Sequence, residues 1–135
     1  MSESAKTRRE ALLARYEAAS AADDFATMAS MRHPRWRMVW PQSGEVVPSH
    51  DSYVALRTNR PEGGPRVEPL HHGGGDECCW SEVLISYKDG SRWLGITLYE
   101  FEGDLIRRER VYFCQPFAPP VWRASWVERG EPSIR

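Results

Sequence analysis

The sequence predicts an α+β fold in which N-terminal helices pack on a mostly antiparallel sheet formed by the C-terminal half. Three strand-like runs, 79–87, 91–101 and 105–113, are joined by tight turns at Asp89-Gly90 and Gly103-Asp104. Glycine beside an acidic residue, between β-branched and aromatic runs, is a strong signal for a β-hairpin. The first third of the chain instead shows helical periodicity. Helices segregated from an antiparallel sheet are typical of the α+β class.

The N-terminal half predicts three helices and one strand. The first helix covers about 6–20, the second is short and ends at Pro34, and the third has Ser49 as its N-cap. Alternating apolar residues predict a strand over 35–40. A further strand over 66–72 contains Pro69, which favours an edge position. A strongly twisted sheet of this size is expected to curl around the helices and to leave a cone-shaped cavity.

Composition favours a single cytoplasmic domain over residues 1–135, with an ordered core from about 6 to 128. Eighteen basic and nineteen acidic side chains leave a net charge of −1, which disfavours nucleic acid and anionic membranes as partners. No apolar run is long enough to span a bilayer. Three cysteines, with Cys78 and Cys79 adjacent, are typical of a reducing compartment. Because His71-His72 lack a third ligand at recognisable spacing, we expect no metal, and we expect no other cofactor.

Several segments together resemble the nuclear transport factor 2-like superfamily, specifically its SnoaL-like polyketide cyclase and ketosteroid isomerase branch. They span about residues 5 to 128, and they are 13–18, 23–25, 40–45, 49–59, 80–113 and 116–123; two of them, 40–45 and 116–123, are similar to a bacterial SnoaL-like subgroup. The resemblance implies a cone-shaped α+β barrel, a hydrophobic pocket for a small ligand and a homodimer. This fold hosts isomerases, cyclases, hydrolases and binding proteins, so it does not choose among them.

The ketosteroid isomerase pattern is only partly present. Tyr16 matches the oxyanion-binding tyrosine on the first helix. The catalytic Asp that precedes a proline on the first strand is replaced by Trp40, and the second, acidic oxyanion donor corresponds to Tyr99. Without its base, the steroid isomerase mechanism cannot be transferred to this chain.

The same alignment predicts which strand residues face the cavity. The inward set is Trp80, Glu82, Leu84, Ser86, Trp93, Gly95, Thr97, Tyr99, Arg107, Glu109, Val111 and Phe113. The outer set is Val83, Ile85, Tyr87, Leu94, Ile96 and Leu98, which is apolar enough to predict a dimer interface. A register error of one residue would exchange the two faces of a strand.

Glu82 and Glu109 are the candidate acid and base, with Tyr16 as oxyanion donor and His33 as a second candidate base. An apolar pocket raises the pKa of a carboxyl, and a neighbouring carboxylate raises it further, so one pair can supply both a proton donor and an acceptor. In the alternative interpretation, Glu109 only pairs with a nearby arginine, the choices being Arg92, Arg107 and Arg108.

Aromatic residues are expected to line the pocket, because Tyr and Trp bring polar tips to apolar walls and suit a ring-shaped ligand. The predicted substrate-binding residues are Trp36, Met38, Trp40, Tyr53, Trp80, Leu84, Trp93, Thr97, Tyr99, Val111 and Phe113. The tail over 116–135 is expected to wrap the barrel or a partner subunit and to bury Trp122 and Trp126.

Three hypotheses about function remain at this stage. The first is a cofactor-free enzyme that cyclises, isomerises or hydrolyses a small ring-bearing molecule by acid–base chemistry. The second is a binding module in which the same pocket holds a hydrophobic ligand without chemistry. The third is a structural homodimer whose cavity is filled by its own side chains.

Overall fold

The computed structural model describes residues 3–75 and 78–130. These described residues form three α-helices, six β-strands and a 3₁₀ helix, in the order α1 (Glu3–Ala21), α2 (Phe25–Met31), β1 (Arg32–Trp40), β2 (Glu45–Val47), α3 (His50–Thr58), β3 (Arg66–Gly74), β4 (Cys79–Ser86), β5 (Arg92–Glu102), β6 (Leu105–Cys114) and the 3₁₀ helix (Val121–Trp126). The predicted α+β class is confirmed, and β2 is an additional short strand.

The helix boundaries follow from their capping residues. The Asp24 carboxylate accepts a hydrogen bond from the Thr27 amide at 3.1 Å, which starts α2. Ser49 is the N-cap of α3, as predicted, and its hydroxyl accepts from the Ser52 amide at 3.1 Å. The predicted end of α2 at Pro34 is wrong, because α2 ends at Met31 and Pro34 lies inside β1. The strand accommodates a proline there since its pairing with β6 is irregular between Arg32 and Arg37.

The sheet has the strand order β2-β1-β6-β5-β4-β3. Strands β3 to β6 form the predicted antiparallel meander, whereas β1 pairs with β6 in parallel. Strand β3 lies at one edge, as Pro69 predicted, and its pairing shifts between Pro69 and His71. The edges β2 and β3 do not pair with each other, so the sheet is curved but open rather than a closed barrel.

The predicted orientation of β4 is wrong by one residue. Thr97, which faces the helices, pairs directly with Ser81, so the inward residues of β4 are Ser81, Val83 and Ile85. Gly95 explains this register, because a Cβ there would lie 2.9 Å from Val83 Cγ2 and 3.0 Å from Ile85 Cδ1. The glycine therefore makes room for two branched side chains on the concave face. The residues of β4 that point to the convex face instead are Trp80, Glu82, Leu84 and Ser86.

The concave face of the sheet and the helices enclose the hydrophobic core. Leu13 of α1, Met28 of α2 and Ile106 of β6 are each 1% exposed within it. Trp80 and Leu84 join Leu94, Ile96 and Leu98 on the convex face. A homodimer through that face stays a prediction. In the part of the chain that the structure describes, no helix is long and apolar enough to cross a membrane.

The C-terminal tail does not bury its tryptophans on the rest of this chain. Trp122 and Trp126 of the 3₁₀ helix are 73% and 79% exposed, which contradicts burial against the chain's own sheet. Prolines at 116, 119 and 120 lack the backbone N–H needed to continue a strand ladder, so the chain leaves the sheet after Cys114. Packing of this segment on a partner subunit stays a prediction, and residues 131–135 lie outside the described residues.

Candidate functional site

A cavity of about 200 Å³ lies between the helices and the concave face of the sheet. Its wall is mainly apolar, and two carboxyl groups, Glu17 and Glu109, reach it from α1 and β6. A wider chamber of about 740 Å³, which we call the vestibule, lies beside it between α3 and the ends of β4 and β5. The two chambers adjoin each other, because their walls share Trp40, Tyr53, Arg57, Arg60 and Phe113.

Glu109 is the central polar group of the cavity, and its side chain is held from one side only. The residue is 3% exposed. The Tyr16 hydroxyl donates to Glu109 Oε2 at 2.6 Å, and the Trp36 indole N–H donates to the same oxygen at 2.8 Å. Among the described residues, no hydrogen bond ends on Glu109 Oε1. The Oε1 atom is therefore the one available to a molecule in the cavity.

Arg32 lies behind Glu109 and connects it to the surface of the domain. Its guanidinium Cζ lies 3.7 Å from the centre of the Trp36 ring and 4.2 Å from that of Tyr53. Arg32 Nε donates to the Tyr16 hydroxyl at 2.6 Å, and Nη2 lies 3.7 Å from Glu109 Oε2. Nη1 lies 2.8 Å from His50 Nδ1, which fits a neutral imidazole that accepts this hydrogen bond. The result is a buried chain from His50 through Arg32 and Tyr16 to Glu109.

Burial is the largest influence on the pKa values of the titratable groups in this series of linked side chains. It raises the pKa of Glu109 above the usual carboxyl range, although Arg32, Tyr16 and Trp36 each favour the carboxylate. Burial and the neighbouring Glu109 charge raise the pKa of Tyr16, so the phenol stays neutral and can donate. Burial and the Arg32 charge lower the pKa of His50. Burial thus favours the protonated form of Glu109 more than it would for an exposed carboxyl.

Glu17 supplies a second carboxyl on the opposite wall. Burial raises the pKa of its half-buried side chain, while His72 and the Ser81 hydroxyl partly offset that effect. Its Oε1 atom is buried and has no hydrogen-bond partner among the described residues. Ser81 Oγ in turn lies 3.2 Å from the Tyr99 hydroxyl. Burial raises the pKa of Tyr99, and the charges of Glu109 and Glu17 raise it further, so this phenol stays neutral and both carboxyl groups influence it.

Comparison with solved structures places this architecture among known proteins. A nuclear transport factor 2-like protein of unknown function from Burkholderia xenovorans is 28% identical, with a TM-score of 0.77, and the match covers 91% of this chain and 95% of that one. A candidate ketosteroid isomerase from Kribbella flavida is 18% identical, with a TM-score of 0.85 and coverage of 96% and 94%. A candidate SnoaL-like polyketide cyclase from Jannaschia is 12% identical, with a TM-score of 0.66 and coverage of 80% and 86%.

The chain belongs to the nuclear transport factor 2-like superfamily. The resemblance inferred from the sequence is thereby confirmed at the level of the superfamily and its fold. Neither a protein-family model nor a curated protein matches the sequence. The cavity itself therefore provides the evidence for the chemistry of this nuclear transport factor 2-like domain.

Two of the four predicted catalytic residues do not reach the cavity. Glu82 lies on the convex face, where its Oε1 is 3.0 Å from His71 Nδ1, so the predicted Glu82–Glu109 pair does not form. His33, near the start of β1, contacts Glu102 at the end of β5, and its Nδ1 accepts from the Arg35 amide at 3.0 Å. It is not among the residues that line the cavity. Glu109 and Tyr16 do meet, at 2.6 Å. Arg32 is the arginine beside Glu109, and it was not among the three considered from the sequence.

The predicted substrate-binding residues fall into three groups. Those that line the cavity are Met38, Trp40, Tyr53, Thr97, Tyr99, Val111 and Phe113, and Trp93 lines the vestibule. Trp36 is buried behind Glu109 and acts through its indole N–H rather than as a wall. Trp80 and Leu84 are on the convex face and cannot contact a ligand in the cavity. In the regions that the structure describes, no group of three His, Cys, Asp or Glu side chains is arranged to hold a metal ion.

Sequence reasoning missed Arg32, His50 and Glu17. Arg32 and His50 stand at the first positions of β1 and α3, where charged residues are ordinarily exposed. Their proximity depends on how α3 packs beside β1. Glu17 directly follows Tyr16 on α1, and adjacency to a predicted site residue was the one signal available for it.

We expect Glu109 to make the domain more stable at acidic than at alkaline pH. The pKa of Glu109 is higher in the folded than in the unfolded protein, so the protonated carboxyl stabilises the fold. This contribution is complete below the ordinary carboxyl pKa of about 4, and it is lost as the pH rises through the raised pKa of the folded state. The difference in unfolding free energy between wild type and Glu109→Gln, measured by urea denaturation from about pH 4 to 8, should therefore fall with pH. A difference that rises with pH would contradict this assignment. Glu17 and His50 are present in both proteins, so their titrations largely cancel.

Proposed function

We propose that this domain is a cofactor-independent enzyme that performs acid–base chemistry on a small, ring-bearing hydrophobic molecule. The observation that carries the proposal is Glu109, a carboxyl that is 3% exposed in an apolar cavity and has its hydrogen bonds directed to one oxygen. A pKa raised toward the working pH makes a carboxyl effective as a proton acceptor and donor. Isomerisation, cyclisation and hydrolysis of a ring compound all need such a group.

Each polar side chain then has a distinct task. Glu109 Oε1 removes a proton from the ligand or from a water beside it. Tyr16 and Trp36 hold Oε2, so Tyr16 orients Glu109 and does not serve as the oxyanion donor that the family pattern implied. The Tyr99 hydroxyl, next to Ser81, is the better donor to a developing oxyanion. Glu17, whose raised pKa favours the neutral acid, can return a proton on the opposite wall.

A chemical panel tests the proposal without knowledge of the natural substrate. Cyclic ketones incubated with the protein in D₂O should exchange their α-protons when Glu109 abstracts them, and NMR follows that exchange. Parallel incubations with ring-fused epoxides and aromatic lactones test hydrolysis by product analysis. At least one class should react faster with wild type than with Glu109→Gln. If every class reacts equally with both proteins, the proposal is wrong.

The second candidate function is ligand binding without catalysis. It is favoured by the internal hydrogen bonds of Glu109, since a carboxylate that already accepts from Tyr16 and Trp36 has half of its accepting capacity satisfied. The two functions differ in the effect of Glu109→Gln. A binding module would retain its affinity for ring compounds in that variant and would show no turnover in either protein.

A further inference from the structure

The vestibule and the inner cavity differ in the charged side chains that line them. The inner cavity contains the carboxyl groups of Glu109 and Glu17. Two arginines, Arg57 and Arg60, line both chambers, and the described lining of the vestibule contains no acidic side chain. The remaining vestibule wall is largely apolar, with aromatic rings from β5, β6 and the β4–β5 turn at Trp93, Phe113 and Tyr87. A ligand that spans both chambers would therefore meet acidic groups only in the inner cavity, and in the vestibule it would meet arginines alone.

Arg57 is already neutralised within the protein. Its guanidinium forms an ion pair with Asp23 and also donates to the Tyr53 hydroxyl and to the Ser20 backbone carbonyl. These contacts fix Arg57 as part of the link between α3 and the end of α1. The charge of Arg57 is therefore already balanced and is not available to pair with a ligand.

Arg60, in contrast, has no ionic partner among the residues that the structure describes. Its guanidinium Cζ lies 5.6 Å from the centre of the Tyr87 ring, at the mouth of the vestibule. Glu62 and Asp89 line a small neighbouring cleft, but neither forms an ion pair with Arg60. Asp89 accepts hydrogen bonds from the amide and hydroxyl of Ser91, at 2.8 and 2.6 Å. An unmatched guanidinium beside aromatic rings is suited to bind a planar carboxylate.

We propose that the ligand of this domain is a ring-bearing carboxylic acid that binds with its ring toward Glu109 and its carboxylate on Arg60. The inference rests on the proposed function only in taking the inner cavity as the ligand site. Charge sets the orientation, because the carboxylate would be repelled by Glu109 and would lose its hydration in the inner cavity. Trp40, Tyr53 and Phe113, which line both chambers, contact the middle of the molecule.

A matched pair of probes tests this inference. Biphenyl-4-carboxylate and biphenyl-4-carboxamide have nearly the same shape and differ in charge, and calorimetric titration gives the affinity of each. The wild-type domain should bind the carboxylate about fivefold or more tightly at low salt, in line with a solvent-exposed ion pair, and the preference should shrink at high salt. Arg60→Gln should remove the preference and leave the affinity for the carboxamide unchanged.

Arg37→Gln is the matched control, because Arg37 is exposed on β1, is absent from the walls of both chambers, and its loss changes the net charge equally. Equal affinity of wild type for both probes, or a preference that survives in Arg60→Gln, would overturn the inference. Glu109→Gln separates it from the proposed function. A charge preference retained in that variant, together with no turnover of any substrate class by the wild type, would uphold the carboxylate site and reject the enzyme.

Discussion

Replacing Glu109 with Gln is expected to lower turnover by about a hundredfold or more on any substrate that the wild-type domain converts. Glutamine keeps the shape of the side chain, and its amide oxygen can still accept from Tyr16 and Trp36, which now donate at 2.6 and 2.8 Å. What it cannot do is exchange a proton with the ligand. The loss should therefore appear in kcat, whereas KM changes little.

Glu82→Gln is the matched comparison, because the sequence-based hypothesis makes Glu82 catalytic whereas the structure places it outside the cavity. Glu82 lies on the convex face beside His71, so its replacement should leave turnover within about twofold of wild type. The pH profile adds an independent readout, because the limb that reports the raised pKa of Glu109 should vanish in Glu109→Gln alone. A hundredfold loss in Glu82→Gln, or an unchanged rate in Glu109→Gln, would reject the assignment.

The contrast between Glu109 and Glu82 shows where sequence reasoning about this domain succeeded. On β5 and β6 the alignment predicted most of the inward set correctly, including Thr97, Tyr99 and Val111. The prediction for Arg107 is wrong, because its guanidinium donates to the Arg35 backbone carbonyl and the neighbouring Ile106 occupies the core instead. On β4 both faces are largely apolar, since Trp80 and Leu84 alternate with Val83 and Ile85. Hydrophobic alternation cannot orient a strand of that kind.

Two features of the site show why the rest was harder to predict. The register of β4 is explained by Gly95, whose missing side chain admits Val83 and Ile85, but this becomes a signal only once the two strands are known to be neighbours. Arg32 is 5% exposed because residues of α1, α3 and β1 pack against it, and no local sequence pattern predicts the burial of a charged residue. The fold followed from periodicity and turns, whereas the polar network depends on tertiary packing.

Arg32→Met is expected to lower the free energy of unfolding by about 3–5 kcal/mol near neutral pH. Methionine can fill much of the space between Trp36 and Tyr53, but it leaves Glu109 without its nearby positive charge and Tyr16 without a donor. Removing one partner of a buried ion pair costs about this much, because the remaining charge is left uncompensated. The loss should be smaller at acidic pH, where Glu109 is protonated. Arg37→Met on the exposed side of β1 should change stability by at most about 0.5 kcal/mol.

A double-mutant cycle shows whether Arg32 stabilises the domain through Glu109 or only through packing. When Glu109→Gln removes the buried carboxylate, Arg32→Met no longer strands a charge, so the double variant should be less destabilised than the sum of the two single variants. Chemical denaturation of all four proteins at one pH gives the coupling energy. Strictly additive effects would mean that Arg32 acts through its contacts with the Trp36 and Tyr53 rings and His50 alone. A clear coupling would instead make the guanidinium the group that keeps a raised carboxyl pKa within the working range, since the Arg32 charge is the largest of the influences that oppose the effect of burial on Glu109.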